Sequence, residues 1–576
     1  MRETVKPVVR VGLDGLPDAV DVVVVGSGAA GLSAAITAAA VGLRVIVVEK
    51  AHRWGGTTAR SGGGVWIPGN HVLAAQAPTD TREEAGRYLR ALVGAQVPNP
   101  VIDAYLDRGP EALAFLTRHS GLDLEWVRGY CDYFPESPGG RATGRSCEPR
   151  PFDVRALGAD FASMEPFYTA TPLNVVVKQS DYRWLSTGLR HWRGPVRAAR
   201  VAARTVVAKA RGRRLVGLGN ALVGSLMVGL QGRGVPVHVG TAMTGLIDDG
   251  AGGVCGIRVR DDAGSDRQIH ARCAVILGSG GFDHDADLRA AHHRRPAGPD
   301  LSLGVPTNTG DGLRAATALG ADADMLDDAW WAPSIPLPRG PWFALAERSL
   351  PGGIIVNDRG RRFMNESLPY VEATHAMFGG PYGTGDGPAA NLPAWLIFDQ
   401  RYRNRYLFAG RPARSPLPQR WFDSGALVKA DTLVELADCI GVPTQALAAT
   451  VERFNGFARD GRDADFGRGE SAYDHYYGDI TNKPNPSLGE LSTGPFYAAR
   501  MVPADLGTKG GVRIDDRARV CRADGTVIAG LYAAGNVSAP VMGHTYAGPG
   551  ATIGPAMVFG YLAARDAAQS RRGTIG

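Results

Sequence analysis

The strongest constraint on this chain's fold is a spacing of glycines set between two short apolar runs. Residues 21–25 are Asp followed by four Val, and Gly26-Ser27-Gly28-Ala29-Ala30-Gly31 follows directly. An alanine-rich stretch then runs to about Val41, and a second apolar run, Arg44 to Glu49, comes next. A continuous apolar run of that length suits a parallel strand covered on both faces. The whole is a βαβ unit in about 30 residues. Gly26 suits the tight turn, Gly28 lets the backbone approach a pyrophosphate, and Gly31 lets helix and strand pack closely. The helix start turns free N–H groups and a positive dipole end toward the phosphates. Glu49 closes the second strand, where its carboxylate can accept ribose hydroxyls.

The remaining sequence sets the frame around this unit. At 576 residues the chain is too long for a single core. The fold class expected is α/β, a discontinuous Rossmann-like nucleotide-binding domain with an inserted α+β domain. The nucleotide-binding domain takes residues 18–298, with a basic insertion at 188–214, and then 499–576. Residues 299–498 differ in texture, carrying Trp, Pro and a Gly/Pro-rich loop at 379–393, and are expected to form the inserted catalytic domain. The six cysteines are scattered with no C-x-x-C pair, which suits a reducing compartment and offers no zinc site. No apolar leader occupies Met1 to Asp21, and a cytoplasmic protein is expected. The uncharged run Leu215 to Gly232 reads as a buried helix. The net charge of +6 is partly local: residues 190–214 hold nine Arg or Lys and no acid. Arg193, Arg197, Arg200, Arg204 and Arg211 recur at helical spacing, so this segment is a candidate peripheral membrane contact. It does not make the chain a nucleic-acid binder.

The residues beyond Glu49 favour a flavin over a nicotinamide. Lys50, Gly55-Gly56-Thr57-Thr58 and Ser61-Gly62-Gly63-Gly64 allow close backbone approach where a flavin ring would lie. Gly535-Asn536, then Thr552-Ile553 opening a helix with Pro555 in its first turn, would close the other side. No second complete fingerprint exists for NAD(P)H.

With these glycine segments, Leu277-Gly-Ser-Gly280-Gly281-Phe282 resembles the fumarate reductase and succinate dehydrogenase flavoprotein superfamily. Five stretches narrow the resemblance to the 3-ketosteroid Δ1-dehydrogenases: 61–68, 132–136, 362–370, 505–511 and 543–554. The resemblance spans nearly the whole chain and implies FAD as cofactor and a 3-ketosteroid as substrate. It implies a C1–C2 double bond introduced into the A ring, with the hydride going to flavin. By position it places the active-site tyrosines on Tyr133, Tyr370 and Tyr546, and a backbone donor on Gly550. Tyr546 and the Gly550 N–H would hold the C3 oxygen, Tyr370 would take the C2 proton, and Tyr133 would support Tyr370. Ala547 stands where relatives often carry Pro. No histidine occurs between His52 and His71, so FAD is expected to be held non-covalently. The electron acceptor is left open, a quinone-linked one among the candidates. Alternatives are a 3-ketosteroid Δ4-(5α)-dehydrogenase, a fumarate-reductase-like enoate reductase and a non-catalytic flavin-binding protein. Trp330, Trp331 and Phe343 are candidates for an apolar substrate wall. Lys509 and His544 are polar residues of undecided role, and His292-His293 reads as a solvated loop without metal-ligand spacing.

Overall fold

The computed structural model describes residues 7–78, 80–169, 175–188, 190–380 and 389–573. The loop at 379–393 therefore lies largely outside the described residues. The glycine fingerprint sits where its spacing demands, between β2 and α1. Strand β1 (Val9–Val11) is followed by β2 (Ala19–Val25), α1 (Ala29–Ala40) and β3 (Val45–Val48). β2 and β3 pair in parallel from Val22 opposite Val45 to Val25 opposite Val48. The unbroken valine run has a simple cause. Val22 and Val24 enter the core that holds α1, while Val23 and Val25 enter a second core on the other face.

Among the helices that follow are α2 (Gln179–Ser186), α3 (Arg193–Ala210) and α4 (Leu218–Gln231). All of α4 but Val228 is buried, as the uncharged run requires, and the helix packs against α1. The sheet continues with β4 (Val237–Val239), β5 (Thr241–Asp248), β6 (Val254–Asp261) and β7 (Asp266–Leu277). Its order is β1-β4-β3-β2-β7-β6-β5. β5, β6 and β7 form an antiparallel meander, and the far half of β7 becomes the parallel neighbour of β2.

The inserted domain is a six-stranded antiparallel sheet. Its elements are β8 (Ala329–Leu337), β9 (Gly340–Phe343), α5 (Ala346–Ser349), β10 (Gly353–Val356), α6 (Tyr370–Phe378), β11 (Ala394–Asp399), β12 (Leu427–Ala430), α7 (Ala472–Tyr477) and β13 (Phe496–Thr508). The order is β9-β8-β13-β11-β10, with β12 also on β13. The chain then returns to the first sheet through β14 (Arg519–Cys521) and β15 (Val527–Ala533), which adds to β7 in parallel. The closing helix α8 (Ile553–Gly573) packs along α1.

Two expected boundaries fall elsewhere in the structure. The join at 498/499 lies inside β13, whose pairing with β8, β11 and β12 makes it part of the inserted sheet. At the other end, Leu313 and Ala316 belong to the core beneath β5 and β6, so the nucleotide-binding domain extends past 298. Composition shifts mark where texture changes, and strand pairing decides which sheet owns a segment.

The basic segment also differs from its expectation. Part of its charge is offset by acids outside the segment: Arg197 and Arg204 both pair with Asp181 on α2, and Arg190 pairs with Asp479. α3 turns part of its apolar side outward, leaving Trp192 66% and Val206 64% exposed. Among the described residues no helix is long and apolar enough to cross a membrane.

Candidate active site

One cavity of about 820 Å³ runs from the fingerprint to the inserted domain. At its nucleotide end, Gly26 adopts φ +99°, and a Cβ there would sit 2.3 Å from the Gly278 carbonyl oxygen. At Gly31 a Cβ would lie 1.9 Å from the Gly26 carbonyl, so the helix can cross the strand this closely only with glycine. Gly28 is different. A Cβ there would meet only the Thr58 hydroxyl, at 3.5 Å, and its φ is ordinary. The space a side chain would take is cavity at the start of α1, which has no side-chain cap of its own. That is the fit expected of a pyrophosphate cradle.

Glu49 ends β3 with its carboxylate accepting from the Ser27 N–H at 3.0 Å, the Ser27 hydroxyl at 2.6 Å and the Ala51 N–H at 2.9 Å. Burial raises its pKa, and these donors pull back against burial. Lys50 turns aside to Thr309 and Asp311, at 2.6 and 2.9 Å. The Thr57 hydroxyl accepts from Asn308 at 3.0 Å, and the Thr58 hydroxyl accepts from the Ala29 N–H at 3.0 Å. Ala29, Ala30, Gly56, Ser61, Gly62, Gly63, Gly64, Gly280, Gly535, Asn536, Thr552 and Ile553 all line the cavity. Three expected cofactor residues do not. Gly31 and Gly55 shape the turns behind it, and Gly281 packs on Thr508.

The other end is aromatic. Tyr133, Tyr370 and Tyr546 are all buried, with ring centroids 5.2–5.5 Å apart and each pair edge-on. The Tyr133 hydroxyl donates to that of Tyr370 at 3.1 Å, and the Thr552 hydroxyl donates to Tyr546 at 3.0 Å. The three arrive from separate elements. Tyr370 opens α6 behind Pro369, a residue that suits a helix start. Tyr133 sits in a loop anchored by Asp132, which takes the Trp66 indole N–H at 2.8 Å and pairs with buried Arg145. Tyr546 precedes Ala547, whose carbonyl accepts from the Tyr133 N–H at 3.0 Å and the Tyr88 hydroxyl at 2.6 Å. Those two bonds fix the loop without a proline. Gly550, at φ +96°, abuts Gly64: a Cβ there would stand 2.4 Å from the Gly64 carbonyl carbon. Burial pushes the hydroxyls of Tyr133 and Tyr370 well above the ordinary tyrosine pKa, and that of Tyr546 upward.

Trp330 and Phe343 line the cavity, 4.9 Å from Tyr546 and 5.0 Å from Tyr370. Trp331 faces away and donates to Asp328 at 2.6 Å. Lys509 is buried between Asp328, at 2.9 Å, and the Thr545 carbonyl, at 3.3 Å, behind Trp330. His544 bonds Gln96 and Asp327 and does not line the cavity. His293, expected in solvent, is buried between Phe282 and Trp331, and burial lowers its pKa to about 3. Sequence reasoning missed Tyr130, Tyr476 and Tyr477, which also line the cavity. Three tyrosines within the six residues of α7 were the available signal.

The FAD binding domain family matches residues 21–553. The 3-oxosteroid 1-dehydrogenase of Mycolicibacterium smegmatis is 58% identical over 562 residues, covering 96% of this chain and 98% of that protein. The chain belongs to the 3-oxosteroid 1-dehydrogenase family of FAD-binding proteins. FAD is therefore its cofactor, in agreement with the cradle at Gly28. A member of known structure, the 3-ketosteroid Δ1-dehydrogenase of Sterolibacterium denitrificans in complex with 1,4-androstadiene-3,17-dione, superposes with a TM-score of 0.90 at 37% identity. That match covers 96% of this chain and all of that one. The 3-ketosteroid Δ4-(5α)-dehydrogenase of Rhodococcus jostii, at 21% identity and a TM-score of 0.66 over 97% of this chain and 99% of that one, shares the fold.

Proposed function

We infer that the chain is a flavin-dependent 3-ketosteroid Δ1-dehydrogenase, which desaturates C1–C2 of the steroid A ring. The observation that carries this reading is the set of three mutually facing phenols beside Gly550, at the end of a cavity that begins at the FAD fingerprint. A non-covalently bound FAD would supply the acceptor for the C1 hydride. The protein's own part is to make the C2 proton removable. A carbon beside a ketone loses a proton readily only when the developing enolate oxygen is stabilised. Tyr546 and the Gly550 N–H are assigned to that oxygen, and one such donor is worth about 3 kcal/mol in the transition state. Tyr370 is the base for C2, and Tyr133 donates to it, favouring its ionised form. Trp330 and Phe343 exclude water from the proton-transfer path.

Incubation with a 4-ene-3-ketosteroid, and in parallel with a 5α-saturated 3-ketosteroid, each with an artificial electron acceptor and followed by product NMR, tests the assignment. Loss of protons from C1 and C2 is expected. Loss from C4 and C5 of a saturated substrate would support the Δ4-(5α) reading instead.

Contact with an anionic membrane surface through α3 belongs to the same reading, because a sparingly soluble sterol partitions there. Exposed Trp192, Val196 and Val206 supply an apolar face, and the exposed cations Arg193, Arg200 and Lys209 flank it. Each cation near such a surface contributes about 1 kcal/mol. Co-sedimentation with phosphatidylserine vesicles should fall steeply with salt. It should also fall in a variant with Gln at Arg193, Arg200 and Lys209; equal sedimentation of both proteins at low salt would remove the idea.

A further inference from the structure

A tyrosine base in a buried pocket poses an electrostatic problem, because burial favours the neutral phenol over the phenolate that must take the proton. The hydrogen bond from Tyr133 offsets part of this. A second contribution lies one layer behind it. Arg348, on α5, is fully buried. Its Nη1 donates to the Glu366 carbonyl at 2.5 Å, while its Nε and Nη2 have no hydrogen-bond partner among the described residues. α5 packs against α7. There the Tyr473 hydroxyl is also buried without a hydrogen-bond partner among the described residues, and its ring stands edge-on to Tyr133 at 5.0 Å.

The other charged groups around Arg348 are committed elsewhere. The Glu366 carboxylate is shared by Arg362, at 2.7 and 2.8 Å, and Arg468, at 3.0 Å. Arg362 also pairs with Asp463, and a second nitrogen of Arg468 donates to the Arg348 carbonyl at 3.3 Å. Asp474 accepts from Asn365 and from the Gly469 N–H. Glu347 accepts from the Trp342 indole and the Ala409 N–H. Tyr130 and Tyr477 are hydrogen-bonded to each other. A guanidinium placed here without a paired carboxylate is costly to bury. Its charge acts on the phenols of Tyr473, Tyr477 and Tyr133.

Resting on the dehydrogenase reading, we propose that Arg348 is a positioning residue for the base, the fixed counter-charge of a phenolate shared between Tyr370 and Tyr133. When Tyr370 takes the C2 proton, the C–H electron pair stays with the steroid as the enolate. The proton must then leave through Tyr133 before the next turnover. A cation behind Tyr133 favours the deprotonated cluster at both stages. Arg348 does not line the cavity, so binding of steroid and flavin is expected to be independent of it.

The test measures deuterium exchange at C2 and anaerobic flavin reduction against pH, with FAD-loaded enzyme and a 4-ene-3-ketosteroid. In wild type both rates rise with pH as the base ionises. Arg348→Gln should move that rising limb upward by about one pH unit, the low end of the range for loss of a nearby opposite charge. Steroid affinity and the flavin spectrum should not change. Arg348→Lys carries the test if the Gln variant does not fold: its ammonium replaces a charge spread over three nitrogens, and a smaller upward shift of at least about half a unit is expected. An unmoved limb with a uniformly lower rate, in whichever variant folds, would mean a structural role and overturn the proposal. Absence of C2 exchange in wild type at every pH would overturn the dehydrogenase reading, and the proposal with it.

Discussion

The two ends of the cavity are built in opposite ways. The nucleotide end is almost entirely local: Gly26 to Glu49 supplies turn, cradle, helix start and carboxylate from one βαβ unit. The phenol end is assembled from segments hundreds of residues apart, with Tyr133 in a loop before the basic helix, Tyr370 on α6 and Tyr546 before α8. A local unit fixes its geometry by backbone hydrogen bonds and close packing. An assembled one needs the inserted sheet, the Asp132–Arg145 anchor and the Ala547 carbonyl to be in place together. Damage to the first should therefore cost the cofactor, and damage to the second should cost chemistry alone.

The largest expected effect is at the proposed base. Tyr370→Phe should lower C2 proton exchange by about 10²–10⁴-fold while the protein stays yellow. A colourless protein would show that the two ends are coupled in a way the structure does not suggest. Tyr546→Phe should slow flavin reduction by about 10²–10³-fold, also without loss of FAD. Gly28→Val should give the converse: apoprotein with its secondary structure intact, measured by flavin absorbance and circular dichroism, since a side chain there fills cavity and little else. Thr552→Val removes the 3.0 Å donor to Tyr546 and should cost about tenfold in rate, the worth of one modest hydrogen bond.

The smallest effect concerns the region between the two ends. His293 is buried with neither ring nitrogen hydrogen-bonded among the described residues, and burial depresses its pKa to about 3. In the unfolded chain it takes up a proton below about pH 6.5. Folding stability from this group is thus complete above that value and lost as pH falls toward 3. At pH 5 the loss is about 2 kcal/mol. His293→Phe should flatten the decline in thermal unfolding midpoint between pH 7 and pH 5, and an unchanged decline would assign it to other groups.

What could be read in the chain before folding follows the same division. The Gly26–Gly31 spacing sits in consecutive residues, and the structure places β2, α1, β3 and the Gly28 cradle where it requires. The buried helix Leu218–Gln231 was legible because an uncharged run of that length has few alternatives. By contrast, Trp330 and Trp331 are adjacent, yet only the first lines the cavity. Alternation along β8 decides that, and its direction depends on which face of the inserted sheet meets the FAD-binding domain.

The sequence by itself determined that a dinucleotide is bound, because turn, helix start and carboxylate all lie within one βαβ unit. Resemblance to relatives marked three of the tyrosines. Only the tertiary structure decided that these phenols face one another, that Tyr130 and Tyr477 join them, and that Arg348 lies behind them without an acid. It also decided that Arg197 and Arg204 share Asp181 and that β13 belongs to the inserted sheet. Burial and charge pairing are properties of surfaces brought together from distant segments, and residue spacing carries no record of which surfaces will meet.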